Sequence, residues 1–403
     1  MITKNILCCI AAAIMAAGCS AEQENMPQKN DEAEQAAEEN VTYIYDLQDN
    51  VIGQIKDCGV ICLADDKIFY LSQHTDASGN EISEYDLYDL NTKENFTLCE
   101  RSDLIYEAYY DRVLLGDHLY TAVTTGDFDD SETWEYELLD FDLKNKTVDV
   151  LLKEKDDYAY STLDSFGDDL LLIRSVADGM CVDKYDIDKR VCTRLKKFLF
   201  QDDPDFTESL RAVYYDDGEI SLLRVDVDTE EQSRLYFDRY DESMELISST
   251  DISDVFDLYE DETNQTERCQ PVTDFFYKNG MLFYSNRSIS KFLLNIGAND
   301  ITPIIKDENG DFETARMISK SDQPRLFYRC VEPGSPIYIL DTDTGKLTEK
   351  AFSVKDESFF IEGMAQYNDK VLIGMTNLDF DAPGGGDYEN RLYYVSIDDI
   401  IGR

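Results

Sequence analysis

The chain has 403 residues, of which 43% are hydrophobic and 12% aromatic, so it has enough apolar side chains to bury a large core. Its 37 Lys and Arg against 85 Asp and Glu give a formal net charge of -48. Such a charge repels phosphate backbones and anionic headgroups, so we expect no binding to nucleic acid. With only two histidines, His74 and His118, the sequence offers little for histidine-based catalysis or metal binding.

The first 18 residues have the pattern of a secretory signal. An apolar stretch at residues 6–17 follows a short basic start and is too short to span a bilayer as a permanent helix. The small residues Ala17 and Gly18 directly before Cys19 resemble the lipobox of bacterial lipoproteins, with Ala16 where that family usually has Leu.

The lipobox resemblance implies that residues 1–18 are cut off and that Cys19 is lipidated. The protein would then be anchored in a bacterial cell membrane, on its extracytoplasmic face. An ordinary signal peptide cut nearby, with Cys19 unmodified, is the open alternative.

Residues 19–40 are expected to be a flexible acidic tether behind the lipidated cysteine. They carry seven acidic side chains against the single Lys29 and have no aromatic residue. Such a segment cannot bury enough apolar surface to order itself. The folded domain is therefore predicted at residues 41–403.

From Val41 onward, short alternating strands rich in Tyr, Val, Ile, Leu and Phe predict an all-β domain. A turn followed by an apolar strand occurs seven times, with Asp or Gly in every turn but the sixth, at residues 65–70, 116–120, 167–172, 217–222, 279–284, 323–328 and 368–373. A later strand that ends near Asp before another turn recurs in step, at residues 88–93, 141–146, 185–189, 239–242, 294–297 and 340–346.

Self-similarity at a period of roughly 40 to 55 residues, with four strands per unit, resembles a β-propeller. We predict seven four-stranded blades. The last repeat ends before a fourth strand, so residues 41–56 are predicted to complete it. An eighth incomplete blade or another register remains open, because residues 41–56 are long enough for two strands.

The loops between the second and third strands of the repeats are the candidate binding face, because they are predicted to be long and acidic. Plain solubility explains the same acidity equally well. Packing on an outer strand explains the single tryptophan better than a sugar platform does. The candidate residues are Asp76, Asp127, Asp129, Asp130, Trp134, Asp226, Asp228, Asp379, Asp381 and Asp387.

Two functional hypotheses follow. The first is a membrane-anchored binding or interaction module for a protein, peptide, glycan or cation at the acidic loops. The alternative is a calcium-dependent hydrolase or lactonase of propeller type, since carboxylates spaced two apart are compatible with calcium ligation. No nucleophile elbow, zinc-protease motif or phosphate-binding loop is present, so whether the protein is an enzyme stays open and catalysis is the less favoured hypothesis.

The excess of carboxylates also predicts how stability depends on solution conditions. Repulsion among crowded carboxylates raises their pKa values, so we expect stability to rise with salt and as the pH falls from neutral toward about 5.

Overall fold

The computed structural model describes residues 41–56, 60–155, 161–176, 179–199, 207–227, 233–253, 272–286, 291–296, 301–307, 312–329, 334, 336–352, 358–377 and 389–402. Cys19 and the predicted tether lie outside these ranges. The described part of the chain is all-β, apart from one short helix at Ile397–Ile401. It contains no helix that is both long and apolar enough to span a membrane.

The strands follow one another in chain order as antiparallel sheets. The N-terminal hairpin is β1 (Val41–Tyr45) and β2 (Val51–Lys56). The first sheet is β3 (Val60–Ala64), β4 (Lys67–Thr75), β5 (Glu81–Asp89) and β6 (Glu94–Arg101). The second is β7 (Leu104–Leu115), β8 (His118–Asp127), β9 (Asp130–Asp142) and β10 (Thr147–Lys155). The third is β11 (Ser161–Phe166), β12 (Asp169–Val176), β13 (Gly179–Asp186) and β14 (Val191–Leu199).

The fourth sheet is β15 (Thr207–Asp216), β16 (Glu219–Val227), β17 (Ser233–Asp241) and β18 (Leu246–Asp251). The fifth is β19 (Val272–Lys278), β20 (Met281–Asn286), β21 (Lys291–Ile296) and β22 (Ile301–Asp307). The sixth combines β23 (Phe312–Thr314) with β25 (Arg325–Arg329), β26 (Ile337–Asp341) and β27 (Lys346–Lys350), whereas β24 (Arg316–Met317) pairs elsewhere. The last contains β28 (Phe360–Tyr367), β29 (Lys370–Thr376) and β30 (Asn390–Ser396).

The turn between the first and second strands explains the Asp and Gly of the repeat. In six of the described sheets this turn has two residues, and the first of them has a positive φ, for example 56° at Asp65 and 50° at Asn279. Gly, Asn and Asp adopt this left-handed conformation at the lowest steric cost. All seven predicted strands that follow these turns are present as strands.

The aspartate that ends the third strand stabilises the next turn. Asp142 Oδ1 accepts hydrogen bonds from the backbone N–H groups of Lys144 and Asn145, at 3.0 and 2.8 Å. Asp341 accepts in the same way from Asp343 and Thr344, at 3.0 and 2.9 Å. These hydrogen bonds favour the ionised carboxylate. They hold the pKa values of Asp142 and Asp341 below the usual range for an aspartate.

These turns change the predicted pH dependence of stability. Hydrogen bonds from turn or cap residues also lower the pKa values of Asp76, Asp186, Asp241 and Asp399. A carboxylate with a lowered folded-state pKa adds stability above its unfolded pKa and loses it as the pH falls through the folded value. Asp140 and Asp164, by contrast, have raised pKa values, and the main cause in both is burial rather than crowding by other carboxylates.

We therefore expect the melting temperature to fall as the pH is lowered from about 5 to about 3, because the lowered pKa values lie below the ordinary aspartate value of 3.8. Thermal unfolding followed by circular dichroism across this range measures the effect. A melting temperature that rises steadily over the same interval would show that carboxylate repulsion outweighs the hydrogen-bonded turns.

Apolar packing joins each sheet to the next. Phe69 of β4 lies 5.0 Å from Phe141 of β9 between ring centroids, and Phe283 of β20 lies 5.1 Å from Phe327 of β25. Similar clusters of buried residues lie between the other consecutive sheets. One further cluster joins Tyr70 of the first sheet to residues of β1, β29 and β30. The core is therefore a series of intersheet layers rather than one central cluster.

The N-terminal hairpin belongs to the last sheet. Strand β1 pairs in parallel with β30, with Ile44 opposite Leu392, and β2 pairs with β1 on the outside. The rings of Tyr45 and Tyr393 stack at 5.5 Å, and Tyr393 Oη donates to Asp49 Oδ1 at 3.0 Å. The predicted pairing of residues 41–56 with the last sheet is thus present, and these residues form two strands.

Candidate functional site

The connection between β23 and β25 departs from the pattern of the other sheets. Where six sheets have two-residue turns, residues 315–324 lie between these strands, and we call them the crossing segment. Its strand β24 pairs in parallel with β28 of the last sheet. The carbonyl of Ile318 then accepts a hydrogen bond from the N–H of Leu114 on β7 at 2.6 Å. The crossing segment therefore contacts the first strands of two other sheets, the last and the second.

A cavity of about 410 Å³ lies beside the crossing segment. Its walls are the ends of the first strands β7, β11, β15 and β19, together with the turns that follow the first three of them. Residues 317–321 and Arg325 form a further wall. The cavity is thus where several repeats and the one irregular connection meet.

Lys320 of the crossing segment brings its ammonium group to the third and fourth sheets. Its Nζ lies 3.1 Å from Asp164 Oδ2 and donates to two backbone carbonyls, those of Ser165 at 3.4 Å and of Tyr215. The same nitrogen lies 4.8 Å from the ring centroid of Tyr214 and 5.2 Å from that of Tyr215. One carboxylate, two carbonyls and two aromatic rings therefore surround this ammonium.

Backbone hydrogen bonds that do not involve Lys320 orient the side chain of Asp164. Its Oδ1 accepts from the N–H of Ser165 at 2.7 Å, and its Oδ2 accepts from the N–H of Tyr215 at 2.6 Å. Its side chain is only 14% exposed. Burial raises the pKa of Asp164, and the Lys320 ammonium opposes this shift. The carboxylate is thus a preorganised acceptor for a cation.

The two tyrosines remain neutral near physiological pH. Burial raises the pKa of Tyr214 well above the usual value. Tyr215 Oη donates to Glu242 at 2.5 Å, and this carboxylate together with burial raises the pKa of Tyr215 to about 12. They therefore contribute ring faces to the cavity and are unsuited to act as general bases.

The other basic groups of the cavity are already engaged. Lys278 Nζ lies 3.2 Å from Asp322. Arg325 lies over the ring of Phe276 at 4.4 Å. Arg112 is buried and donates to Cys62 Sγ at 3.0 Å. No histidine or cysteine is among the described residues that line the cavity.

Of the predicted loop residues that the structure describes, Asp76, Asp127, Asp129 and Asp130 lie in or beside tight turns, and none of these four lines the cavity. Strand β8 extends to Asp127 and β9 begins at Asp130, so the predicted loop shrinks to two residues. Asp127 Oδ1 accepts from the N–H of Asp129, Asp130 Oδ1 accepts from that of Glu132, and Trp134 Nε1 donates to the carbonyl of Asp127 at 2.8 Å.

Asp76 closes its own turn, since its side chain accepts from the backbone of Ser78 and Asn80. Asp226 lies on β16, where the structure describes its backbone pairing only. Asp228, Asp379, Asp381 and Asp387 lie outside the described residues. Within the described ranges, no three His, Cys, Asp or Glu side chains converge in a way that could hold a metal ion.

Sequence reasoning missed Lys320 and Asp164. The available signal was an irregularity: the sixth turn, Gln323-Pro324, lacks the Asp, Asn or Gly of the other copies. Without a two-residue turn, the connection between β23 and β25 is longer, and Lys320 is one of its residues.

No protein-family model and no curated protein matches this chain. Among solved structures, the β-propeller domain of the Trilobed protease from Pyrococcus furiosus is 12% identical, with a TM-score of 0.47 over 83% of this chain and 96% of that one. A polysaccharide lyase is 11% identical, with a TM-score of 0.48 over 91% and 94%. An acylaminoacyl peptidase from Pyrococcus horikoshii has a TM-score of 0.44 over 80% and 50%, at 12% identity. Because each TM-score is below 0.5, these neighbours assign no activity to this chain.

Proposed function

We propose that this chain is a lipid-anchored, extracytoplasmic β-propeller of seven blades that binds a ligand in its central cavity. Each sheet described above would be one blade. The apolar layers between consecutive sheets, and the layer between the last sheet and the first, support this arrangement. The parallel pairing of β1 with β30 supports a last blade that contains strands from both ends of the domain.

The observation that carries the binding function is the convergence of charged and aromatic groups on one cavity. Asp164, Tyr214 and Tyr215 come from two neighbouring first strands, and Lys320 reaches them from the sixth sheet. Concave sites lined by apolar walls with a few oriented polar groups are the usual form of small-ligand sites. This observation moves the proposed site from the acidic loops to the cavity.

The lipid anchor and the acidic tether would hold this site outside the cell membrane. A net charge of -48 disfavours contact between the domain and anionic headgroups and favours the approach of cations. The partners we propose are therefore the membrane, through lipidated Cys19, and a peptide, protein or glycan that carries positive charge.

A cavity variant and a loop variant distinguish the two proposed sites. Thr162 and Asp164 lie two positions apart on β11 and both line the cavity, so Thr162→Phe should fill it. The loop variant replaces Asp127, Asp129 and Asp130 with Asn. Thermal unfolding is measured for the full chain and both variants with a panel of amino acids, peptides and oligosaccharides.

We expect at least one member of the panel to raise the melting temperature of the full chain and of the loop variant, but not of Thr162→Phe. At a hundredfold excess over Kd the stabilisation is about 2.7 kcal/mol, which is several degrees. A shift that survives in Thr162→Phe and disappears in the loop variant would instead place the binding site on the acidic loops.

A further inference from the structure

The position of the Lys320 ammonium identifies the type of group that its surroundings recognise. A primary ammonium has three N–H donors and a compact positive charge. Here the acceptors are Asp164 Oδ2 and the carbonyls of Ser165 and Tyr215, and the rings of Tyr214 and Tyr215 face the charge. We call Asp164, Ser165, Tyr214 and Tyr215 the amine pocket.

The amine pocket is formed without help from Lys320. Asp164 is oriented by two backbone N–H groups, and the two carbonyls belong to first strands that pair with their own sheets. Removing the lysine would leave a buried carboxylate without its counter-ion, which is strongly unfavourable. With fixed acceptors and an energetic need for a cation, the pocket is suited to bind an ammonium group.

The lysine lies on a segment that belongs to no strand or helix at that point. Residues 318–324 lie outside the described strands. The side chain of Lys320 is 29% exposed, so it is not fully enclosed by its neighbours. Ser319 Oγ, next to it, has no hydrogen-bond partner among the described atoms. The lysine can therefore withdraw without breaking a sheet.

We infer that the amine pocket is a recognition site for a primary ammonium group and that Lys320 occupies it as an internal substitute for the ligand. The inference rests on the proposed function and specifies its ligand class: a molecule with a primary amine, such as a lysine side chain or the amino terminus of a peptide. The ligand displaces Lys320, so its apparent affinity is lowered by the fraction of time that Lys320 fills the pocket.

Other cations fit this pocket less well. A quaternary ammonium has no N–H donor for the two carbonyls, although it would satisfy the rings. The acidic surface of the chain would raise the local concentration of any cation. Discrimination among cations must therefore come from the carbonyls of Ser165 and Tyr215.

The test uses n-butylammonium, which reproduces the end of a lysine side chain. Lys320→Ala should have a lower melting temperature than the full chain, and millimolar n-butylammonium should restore it. Isothermal titration should give one site, bound at least tenfold more tightly by Lys320→Ala than by the full chain. Tetramethylammonium at the same concentration should neither restore the melting temperature of Lys320→Ala nor bind to it.

Lys370→Ala is the matched control. Lys370 lies outside the cavity and pairs with Asp369, which is 60% exposed, so its removal leaves no buried carboxylate. Binding of n-butylammonium by Lys370→Ala should equal that of the full chain. The double variant Asp164→Asn/Lys320→Ala should bind n-butylammonium at least tenfold more weakly than Lys320→Ala does.

The outcomes separate this inference from the proposed function. A folded Lys320→Ala that binds no n-butylammonium overturns the amine pocket, while ligand shifts that depend on Thr162 would still support binding in the cavity. If n-butylammonium does not bind and no ligand shift depends on Thr162, both the amine pocket and ligand binding in the cavity are wrong. If Lys320→Ala does not fold, Lys320→Met replaces it. If that also fails, the full chain must still bind n-butylammonium weakly, and must bind it more weakly after Asp164→Asn, or the inference is wrong.

Discussion

A chain that lacks every residue before Cys58 is expected to lose cooperative thermal unfolding and to aggregate. The deletion removes β1 and β2, and with them the parallel partner of β30. Strand β30 would then present an open edge, which is a site for association with other chains. The deletion also removes Ile44 and Ile55 from the layer between the last and first sheets, where both are at most 2% exposed.

The loss should exceed what the domain can tolerate. Each buried isoleucine contributes about 1.5 to 3 kcal/mol, against a total stability of about 5 to 15 kcal/mol. Lys56 also pairs with Glu84 and, at 3.4 Å, with the fully buried Asp86. Its removal takes a cation from two carboxylates of low exposure.

A deletion of residues 20–40 alone is the control, since it leaves β1 and β2 in place and should melt like the full chain. Differential scanning calorimetry distinguishes the two truncations. Equal melting of both would show that the hairpin contributes little, and the proposed contribution of the N-terminal strands to the last blade would have to be abandoned.

Replacement of Cys19 with Ala should move the protein from the membrane fraction to the soluble fraction, or leave it with an uncut signal. The acyl chains on that cysteine are the proposed attachment, and the acidic domain gives no electrostatic hold on an anionic surface. Cell fractionation with immunoblotting measures the distribution, and the mobility of the band reports on processing.

Cys9→Ala is the matched control for Cys19→Ala, because Cys9 lies in the apolar part of the signal and outside the lipobox. This variant should remain processed and bound to the membrane. If Cys19→Ala is also processed and bound, lipidation at Cys19 is excluded as the anchor.

The repeat could be predicted from the sequence because its signals are local. The two-residue turns between first and second strands have Asp, Asn or Gly at the position with a positive φ, as at Asp65 and Asn279. The aspartate that ends a third strand caps its own turn, as at Asp142. Because these turn residues recur with the strands, the order of the strands can be predicted from the sequence.

The lengths of the connections could not be predicted in the same way. Acidic residues at 127–130 predicted a long loop, yet β8 and β9 continue almost to the turn. Alternating polar residues on a strand edge and polar residues in a loop have similar composition. Which of the two forms depends on pairing with the neighbouring strand, which composition does not report.

The candidate site was unpredictable for a different reason. Lys320 and Asp164 are 156 positions apart, and each stands among charged residues of ordinary appearance. Their contact depends on where the crossing segment passes, and that segment follows no strand or helix period. The local sign of this irregular connection in the sequence is Gln323-Pro324, where the other copies have Asp, Asn or Gly.

The contact between Tyr393 and Asp49 joins residues 344 positions apart, and this separation has a consequence for biosynthesis. At translation rates of about 5 to 20 residues per second, β1 exists for some tens of seconds before β30 has been made. During that interval the hairpin has no partner on one side, and the first sheet lacks part of its apolar cover. Completion of the fold must therefore wait for the last strand, and until then the chain exposes a strand edge that is open to association with other chains.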